Sequence, residues 1–296
     1  MNCRLFRRSV ALPLLLCSFA IAPLALIAQD NGDIGPPPIL VIQREYLKPG
    51  KAGSLHDKTE AAFVQALANA KSTSHYFGMT SMSGPSRALY FSAFASLADW
   101  EKDNKNVEKD KALLAALDHA SIADGELLSS YDQHVFMHRP ELSLNEANLV
   151  GKRYFDIGRW EIKPGHEKEF EELVKMYMDG TKKAGLTTNW ATYEIVYGTA
   201  DGDVFLALTT RASLAEADAD IANSKKFSDA VGEDGMNKIR ELTRSAVKSQ
   251  ESNLFAINPK MSYVPESWVK GDDFWKVPVK KAEPKPAAAP AAKPTN

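Results

Sequence analysis

The chain has no cysteine beyond residue 17; its only two, Cys3 and Cys17, fall in the opening segment. If that segment is removed, disulfides, thiolate catalysis, iron–sulfur clusters and zinc–thiolate sites are all excluded. Also missing are a Gly-rich phosphate cradle, a Cys-x-x-Cys-His haem attachment, a serine triad and a paired-carboxylate motif. Apart from the first thirty residues, no apolar run is long enough to span a bilayer. Positive charge is scarce in the body. Three of the 36 basic residues lie in the opening segment and five in the C-terminal stretch, which holds one of the 38 acidic residues, leaving 28 basic against 37 acidic. A body of net charge −9 argues against nucleic acid as a partner.

The opening segment reads as a leader. Arg4, Arg7 and Arg8 precede an apolar run from Val10 to Ile27, which closes on small Ala25 and Ala28 before polar Gln29 and Asp30. This is the layout of a secretory signal peptide over residues 1–28, and it predicts a periplasmic or secreted protein with no membrane span after cleavage. The alternative, an uncleaved anchor, is opposed by Pro13, Pro23 and the cleavage site. At the other end, residues 276–296 are rich in Pro, Ala and Lys without an aromatic residue. Such a composition offers too little apolar surface to offset ordering entropy, so a disordered tail is expected.

What the body does contain is an internal repeat. Arg44-Glu-Tyr-Leu-Lys48-Pro49-Gly50 aligns with Arg159-Trp-Glu-Ile-Lys163-Pro164-Gly165 at an offset of 115, and His75-Tyr76 with Asn189-Trp190 at 114. Ala95–Asp99 aligns with Ala212–Glu216 at 117, and Val135–Ser143 with Leu254–Ser262 at 119. Collinear matches with a slow drift in offset are what duplication with short loop insertions produces. Each copy predicts the same elements. A strand (Ile39–Leu47 in the first) ends at Lys-Pro-Gly, and a helix follows (Leu55–Ala70; His166–Lys183). Two strands come next, His75–Met82 with Ala88–Phe94 and Asn189–Tyr197 with Val204–Thr210, the latter pair joined across Asp201-Gly202. Ser96-x-x-Asp99 and Ser213-x-x-Glu216 read as capping boxes opening a second helix, and a further helical stretch carries Leu113, Leu114 and Leu117 in one copy and Met236, Ile239 and Leu242 in the other. A fourth strand lies near His134–Met137 and Asn253–Ile257, stopped by Pro140 and Pro259. The order β-α-β-β-α-β is ferredoxin-like, so the fold class is α+β with modules at 37–145 and 152–265. Each sheet has helices on one face only, and the two copies can cover each other's bare face as a pseudo-dimer.

The Lys-Pro-Gly turn after the first strand, followed by an amphipathic helix, resembles the dimeric α/β-barrel superfamily, including antibiotic-biosynthesis-monooxygenase-like and NIPSNAP-like proteins. The resemblance spans roughly residues 37 to 265. It implies an eight-stranded barrel, closed within one chain or between two, so that the protein is a monomeric pseudo-dimer or a homodimer. It also implies a ligand site between sheet and helices, and activities that range from cofactor-free oxygenation of aromatic compounds to haem chemistry. No catalytic set from those families maps onto matching residues here.

The candidate site residues are Arg44, His75, Tyr76, His134, Arg159, Asn189, Trp190 and Tyr193. Arg44 and Arg159 recur at one strand position, either as an anion contact inside the barrel or as an inter-module salt bridge with Glu45, Glu161 or Glu194. Tyr76 and Trp190 with Tyr193 would line a pocket for a small apolar or aromatic ligand, with His75 or Asn189 as its polar group. A cofactor-free oxygenase needs a base in an apolar pocket, and His75 in one copy and Asn189 in the other are the best candidates. His134 and His138 form H-x-x-x-H, but on a strand they stand about 13 Å apart, too far to share a metal. His75, His134 or His166 could each serve as a single axial haem ligand. No metal site and no resident cofactor are expected. The leading expectation is an exported binding or accessory protein without turnover, with a cofactor-independent monooxygenase-like enzyme as the alternative and a haem-binding barrel third.

Overall fold

A computed structural model describes residues 35–146, 149–198 and 202–277; the expected leader, all but the first two residues of the expected tail, and Asp201 of the expected hairpin turn lie outside them. Eight antiparallel strands close into one barrel in the order β1-β3-β2-β8-β5-β7-β6-β4. The first half of the chain supplies β1 (Ile39–Leu47), α1 (Ser54–Ala70), β2 (Tyr76–Ser81), β3 (Arg87–Phe94), α2 (Leu97–Lys109), α3 (Lys111–Gly125) and β4 (Leu128–His138). The second half supplies β5 (Tyr154–Ile162), α4 (Glu167–Lys183), β6 (Ala191–Tyr197), β7 (Val204–Arg211), α5 (Ala215–Ala222), α6 (Ser224–Ala246) and β8 (Val247–Tyr263), followed by α7 (Glu266–Gly271). The order β-α-β-β-α-α-β therefore occurs twice. The halves meet at two seams, β2 with β8 and β4 with β6, so the barrel closes within a single chain.

Strand alternation divides the side chains between two environments. On β1, Leu40 and Ile42 point into the barrel and pack with Phe77, Leu89, Phe155 and Phe255. Ile39 and Val41 point outward, against Val135 and Trp100 of α2. In the second half Phe170 and Leu173 of α4 and Ile239 and Leu242 of α6 cover Phe205 and Ile162 in the same outer layer. This is the stripe expected for that helix, and Gly185 (φ 62°) ends it in the left-handed conformation glycine tolerates. Gly50 (φ 77°) and Gly165 (φ 82°) give both Lys-Pro-Gly turns the same backbone.

The further helical stretch expected in each half is present: α2 and α3 part at Asp110, and in the second half α5 runs through Asn223 in helical conformation into α6, which is broken at Gly232 (φ 78°, ψ 170°). Two expectations need correction. Ser96 caps α2 as expected, accepting from the Asp99 amide at 3.1 Å, but the Ser213 side chain caps nothing; there Glu216 alone reaches back, to the Ala212 amide at 3.2 Å. Pro259 does not stop β8, which continues to Tyr263. The register jumps from Gly78↔Asn258 to Tyr76↔Tyr263, so the proline sits in a bulge where no ladder hydrogen bond is lost.

Candidate functional site

One mouth of the barrel is open and apolar. The chain enters β1 through Gly35-Pro36-Pro37, the starts of β2 and β6 and the ends of β3 and β7 reach the same end, and α7 lies across it. Together they enclose about 430 Å³, walled by Phe77, Phe91, Phe155, Leu208, Tyr193 and Trp268. That is within the size range of small-molecule sites. Trp268, Phe274 and Trp275 form an aromatic cap, with Trp268 and Trp275 centroids 5.5 Å apart. Arg153 anchors this cap, its Cζ 4.2 Å from the Phe274 ring centroid and its guanidinium 2.8 Å from Asp272.

Four of the residues singled out from sequence meet here: His75, Tyr76, Asn189 and Tyr193. The His75 ring stacks on Tyr263, and its Nδ1 lies 3.3 Å from the Tyr263 carbonyl oxygen. A carbonyl only accepts, so Nδ1 carries the proton and Nε2 keeps its lone pair. Burial lowers the His75 pKa, which favours this neutral form. Asn189 is held by β7: its Oδ1 accepts from the Thr210 amide at 3.3 Å, and its Nδ2 donates to the Thr210 carbonyl at 3.4 Å. The Tyr193 hydroxyl donates to the Pro37 carbonyl at 3.0 Å, tying β6 to the entry of β1.

The other four lie elsewhere. Arg44, His134 and Arg159 face inward near the opposite mouth, around a space of only about 50 Å³. Arg44 is engaged in a two-pronged pair with Asp132 (2.6 and 2.7 Å), and Arg159 approaches Glu161 at 3.8 Å. Each of these pairs lies within one half of the chain, so neither is the inter-module bridge expected, and the partner of Arg44 is Asp132 rather than Glu45. His134 contacts the same Asp132 at 3.3 Å, and burial followed by Arg44 lowers its pKa. Trp190, aligned with Tyr76 in sequence, lies outside the barrel. Its Nε1 donates to the Leu142 carbonyl at 2.9 Å, and it lines a groove of about 550 Å³ between the sheet and α4.

These placements bear on haem. The groove beside α4 has no histidine, cysteine or methionine among its lining residues. The space at His134 is too small for a porphyrin, and His166 stands at the start of α4 with its side chain 38% exposed. Of the three histidines considered as axial ligands, His75 is the one that borders the mouth cavity.

A second polar assembly was not anticipated. Glu45 of β1, His56 and Glu60 of α1, and Asp124 of α3 converge between the outer face of the sheet and the helices, and all four are buried. His56 Nε2 lies 3.0 Å from Glu45, 3.5 Å from Asp124 and 3.8 Å from Glu60. Thr59 donates to Asp124 Oδ1 at 2.7 Å. Burial, then the charges of Glu45 and Asp124, push the Glu60 pKa up to about 9. Burial likewise raises Glu45, against the pull of His56. The Tyr76 and Tyr90 hydroxyls are raised by burial and then by Glu60 and Glu45. Tyr76 thus stands between this cluster and the mouth cavity that it also lines.

No family model matches the chain, and no curated protein matches it by sequence. Among solved structures it is similar to a candidate monooxygenase from Fusobacterium nucleatum subsp. nucleatum, at 12% identity and a TM-score of 0.49 over 75% of this chain and 93% of that one. It is similar to an anthrone oxidase-like protein at 12% identity and a TM-score of 0.48, covering 74% and 91%. It is also similar to chlorite dismutase from Candidatus Nitrospira defluvii at 11% identity and a TM-score of 0.42, covering 79% and 95%. At these values the likeness carries no argument about chemistry.

Proposed function

We propose that this is an exported binding protein whose barrel mouth holds a flat, largely apolar small molecule. The observation that carries the reading is the cavity of about 430 Å³ walled by aromatic rings and bordered by one neutral imidazole. Rings on several sides offer stacking and edge contacts to a planar ligand, and His75 Nε2 offers one acceptor for a donor on it. The recurring element order and turns support descent of the two halves from one duplicated module. The apolar leader supports export, and a mature chain beginning near Gln29 would be its signature.

The test uses the neutral dye N-phenylnaphthylamine, whose emission rises in apolar surroundings. We expect saturable binding at one site per chain. Ala191→Trp, which fills the cavity beside Tyr193, should weaken it by at least about tenfold, the cost of losing roughly 1.4 kcal/mol of contacts. Unsaturable dye uptake, or binding indifferent to Ala191→Trp in a folded variant, would remove the proposal.

A second reading, cofactor-independent oxygenation of an aromatic substrate, is favoured by His75 in particular. Such an enzyme needs a base in an apolar pocket, and a neutral imidazole with a free Nε2 supplies one. His75→Phe would then abolish turnover while leaving dye binding in place. A haem titration that produces no Soret band would dispose of the haem alternative.

A further inference from the structure

We propose that Glu45, His56, Glu60 and Asp124 bind one divalent transition-metal ion. One ligand atom from each residue lies within 4.8 Å of all the others. At a metal–ligand distance of about 2.1 Å the edges of a tetrahedron are about 3.4 Å. The three distances from His56 Nε2 to the carboxylate oxygens, 3.0, 3.5 and 3.8 Å, fall on either side of that edge. The ligands come from three separate elements, β1, α1 and α3, so the set depends on the tertiary fold. One imidazole with carboxylates suits zinc, manganese or ferrous iron better than the all-oxygen preference of calcium or magnesium.

Two observations beyond the cluster's geometry favour a cation there. The Tyr90 residue is 4% exposed, and its hydroxyl faces Glu45 and Glu60 without reaching hydrogen-bond geometry to either. Glu60, 3% exposed, has an oxygen, Oε1, whose nearest basic group is His56 at 3.8 Å, beyond hydrogen-bond distance. Buried polar atoms left unpaired are costly, and here they converge on a common point. Moreover, among the described residues no lysine or arginine is paired with any of the three carboxylates; His56 is their only basic partner. Carboxylates packed together in a low-dielectric layer repel one another unless a proton or a cation intervenes, and a bound cation would displace the proton that burial places on Glu60.

The fold itself does not require this polarity. In the second half the corresponding layer between the first helix and the sheet is apolar, with Trp160 and Phe170 centroids 6.3 Å apart over Leu173 and Phe205. The same architecture is thus stabilised by hydrocarbon on one side, whereas the other side buries four ionisable groups.

The test uses the full chain, stripped of metal by chelation. Zn2+ alone is titrated calorimetrically, and Co2+ is followed by visible ligand-field absorption. We expect one ion per chain, a melting temperature that rises with Zn2+ and falls with chelator, and binding at least about 100-fold weaker in His56→Gln and in Glu60→Gln. His166→Gln, at an exposed position on α4, should bind as the parent does. If the cluster variants do not fold, the proton spectrum of the parent decides: only the His56 ring signals should move on adding Zn2+. A folded parent that takes up no stoichiometric Zn2+, or one whose His56 signals stay still while others shift, overturns the proposal.

Discussion

Gly78 shows how tightly one position in a closed barrel is constrained. It lies on β2 beside the β8 bulge, and a Cβ there would stand 2.7 Å from the backbone oxygen of Met261 and 3.0 Å from the Tyr90 ring. A backbone oxygen cannot swing aside as the end of a side chain can, so Gly78→Ala must displace β8 or open the seam. Overpacking of this kind costs about 1–3 kcal/mol, which urea denaturation should register as a lower midpoint with an unchanged slope. Single residues also show why part of the site was legible and part was not. His75, Asn189 and Tyr193 could be chosen because aligned strands carry them to one end of a barrel, and their shared cavity follows from that alignment. Trp190 is not carried to that cavity by the same alignment. It lies at an isolated bridge to Leu144 just before β6, and there its ring turns outward to line the groove between the sheet and α4. The four-residue cluster escaped because its members are scattered from residue 45 to residue 124 with no fixed spacing. Two signs were nevertheless present: Glu45 is an acidic residue at the outward position that aligns with apolar Trp160 in the second copy, and His56 and Glu60 are four apart on the buried face of α1.

Among the elements, the segment after β8 matters most to the proposed ligand, because α7 and the turn at Asp273–Trp275 close the mouth. The sequence gives little warning of this role. The fold repeat ends at Tyr263, and a six-residue helix has no periodicity to read. Its aromatic residues acquire meaning only when the barrel places Phe77 6.2 Å from Trp268. The anchor of the cap is electrostatic. Burial alone would raise the Asp272 pKa, but the Phe274 amide and the Arg153 guanidinium outweigh it and hold the carboxyl below its ordinary value. A depressed carboxylate pKa adds stability that is complete above the unfolded value, roughly 3.9, and is lost as pH falls through the lower folded value. The cap should therefore stay closed from neutral pH to about 4.5 and loosen only in stronger acid. Tryptophan emission, with Trp268 and Trp275 in the cap, should hold steady over that range and shift to the red below it. Asp272→Asn should abolish the acid step and speed dye release at neutral pH.

At the scale of the whole molecule, the barrel divides its core between the two halves. Leu40, Phe77, Leu89 and Phe91 from the first pack inside against Phe155, Leu206 and Phe255 from the second. Neither half can bury its inner sheet face alone, and each would expose two unpaired strand edges, β2 and β4 in the first and β6 and β8 in the second. Burial of several large apolar side chains at roughly 1.5–3 kcal/mol each is comparable with the whole net stability of a domain. The halves should therefore be mutually dependent for folding, even though the order of elements repeats. The intact chain, with both seams closed internally, should run as a monomer by light scattering and unfold in one cooperative calorimetric transition. Residues 35–146 expressed alone should elute as a dimer or larger species, a second copy supplying the missing face. A soluble monomeric half with native-like thermal cooperativity would show instead that the inner interface contributes little, and would return the stability of the fold to the helix-covered outer layers.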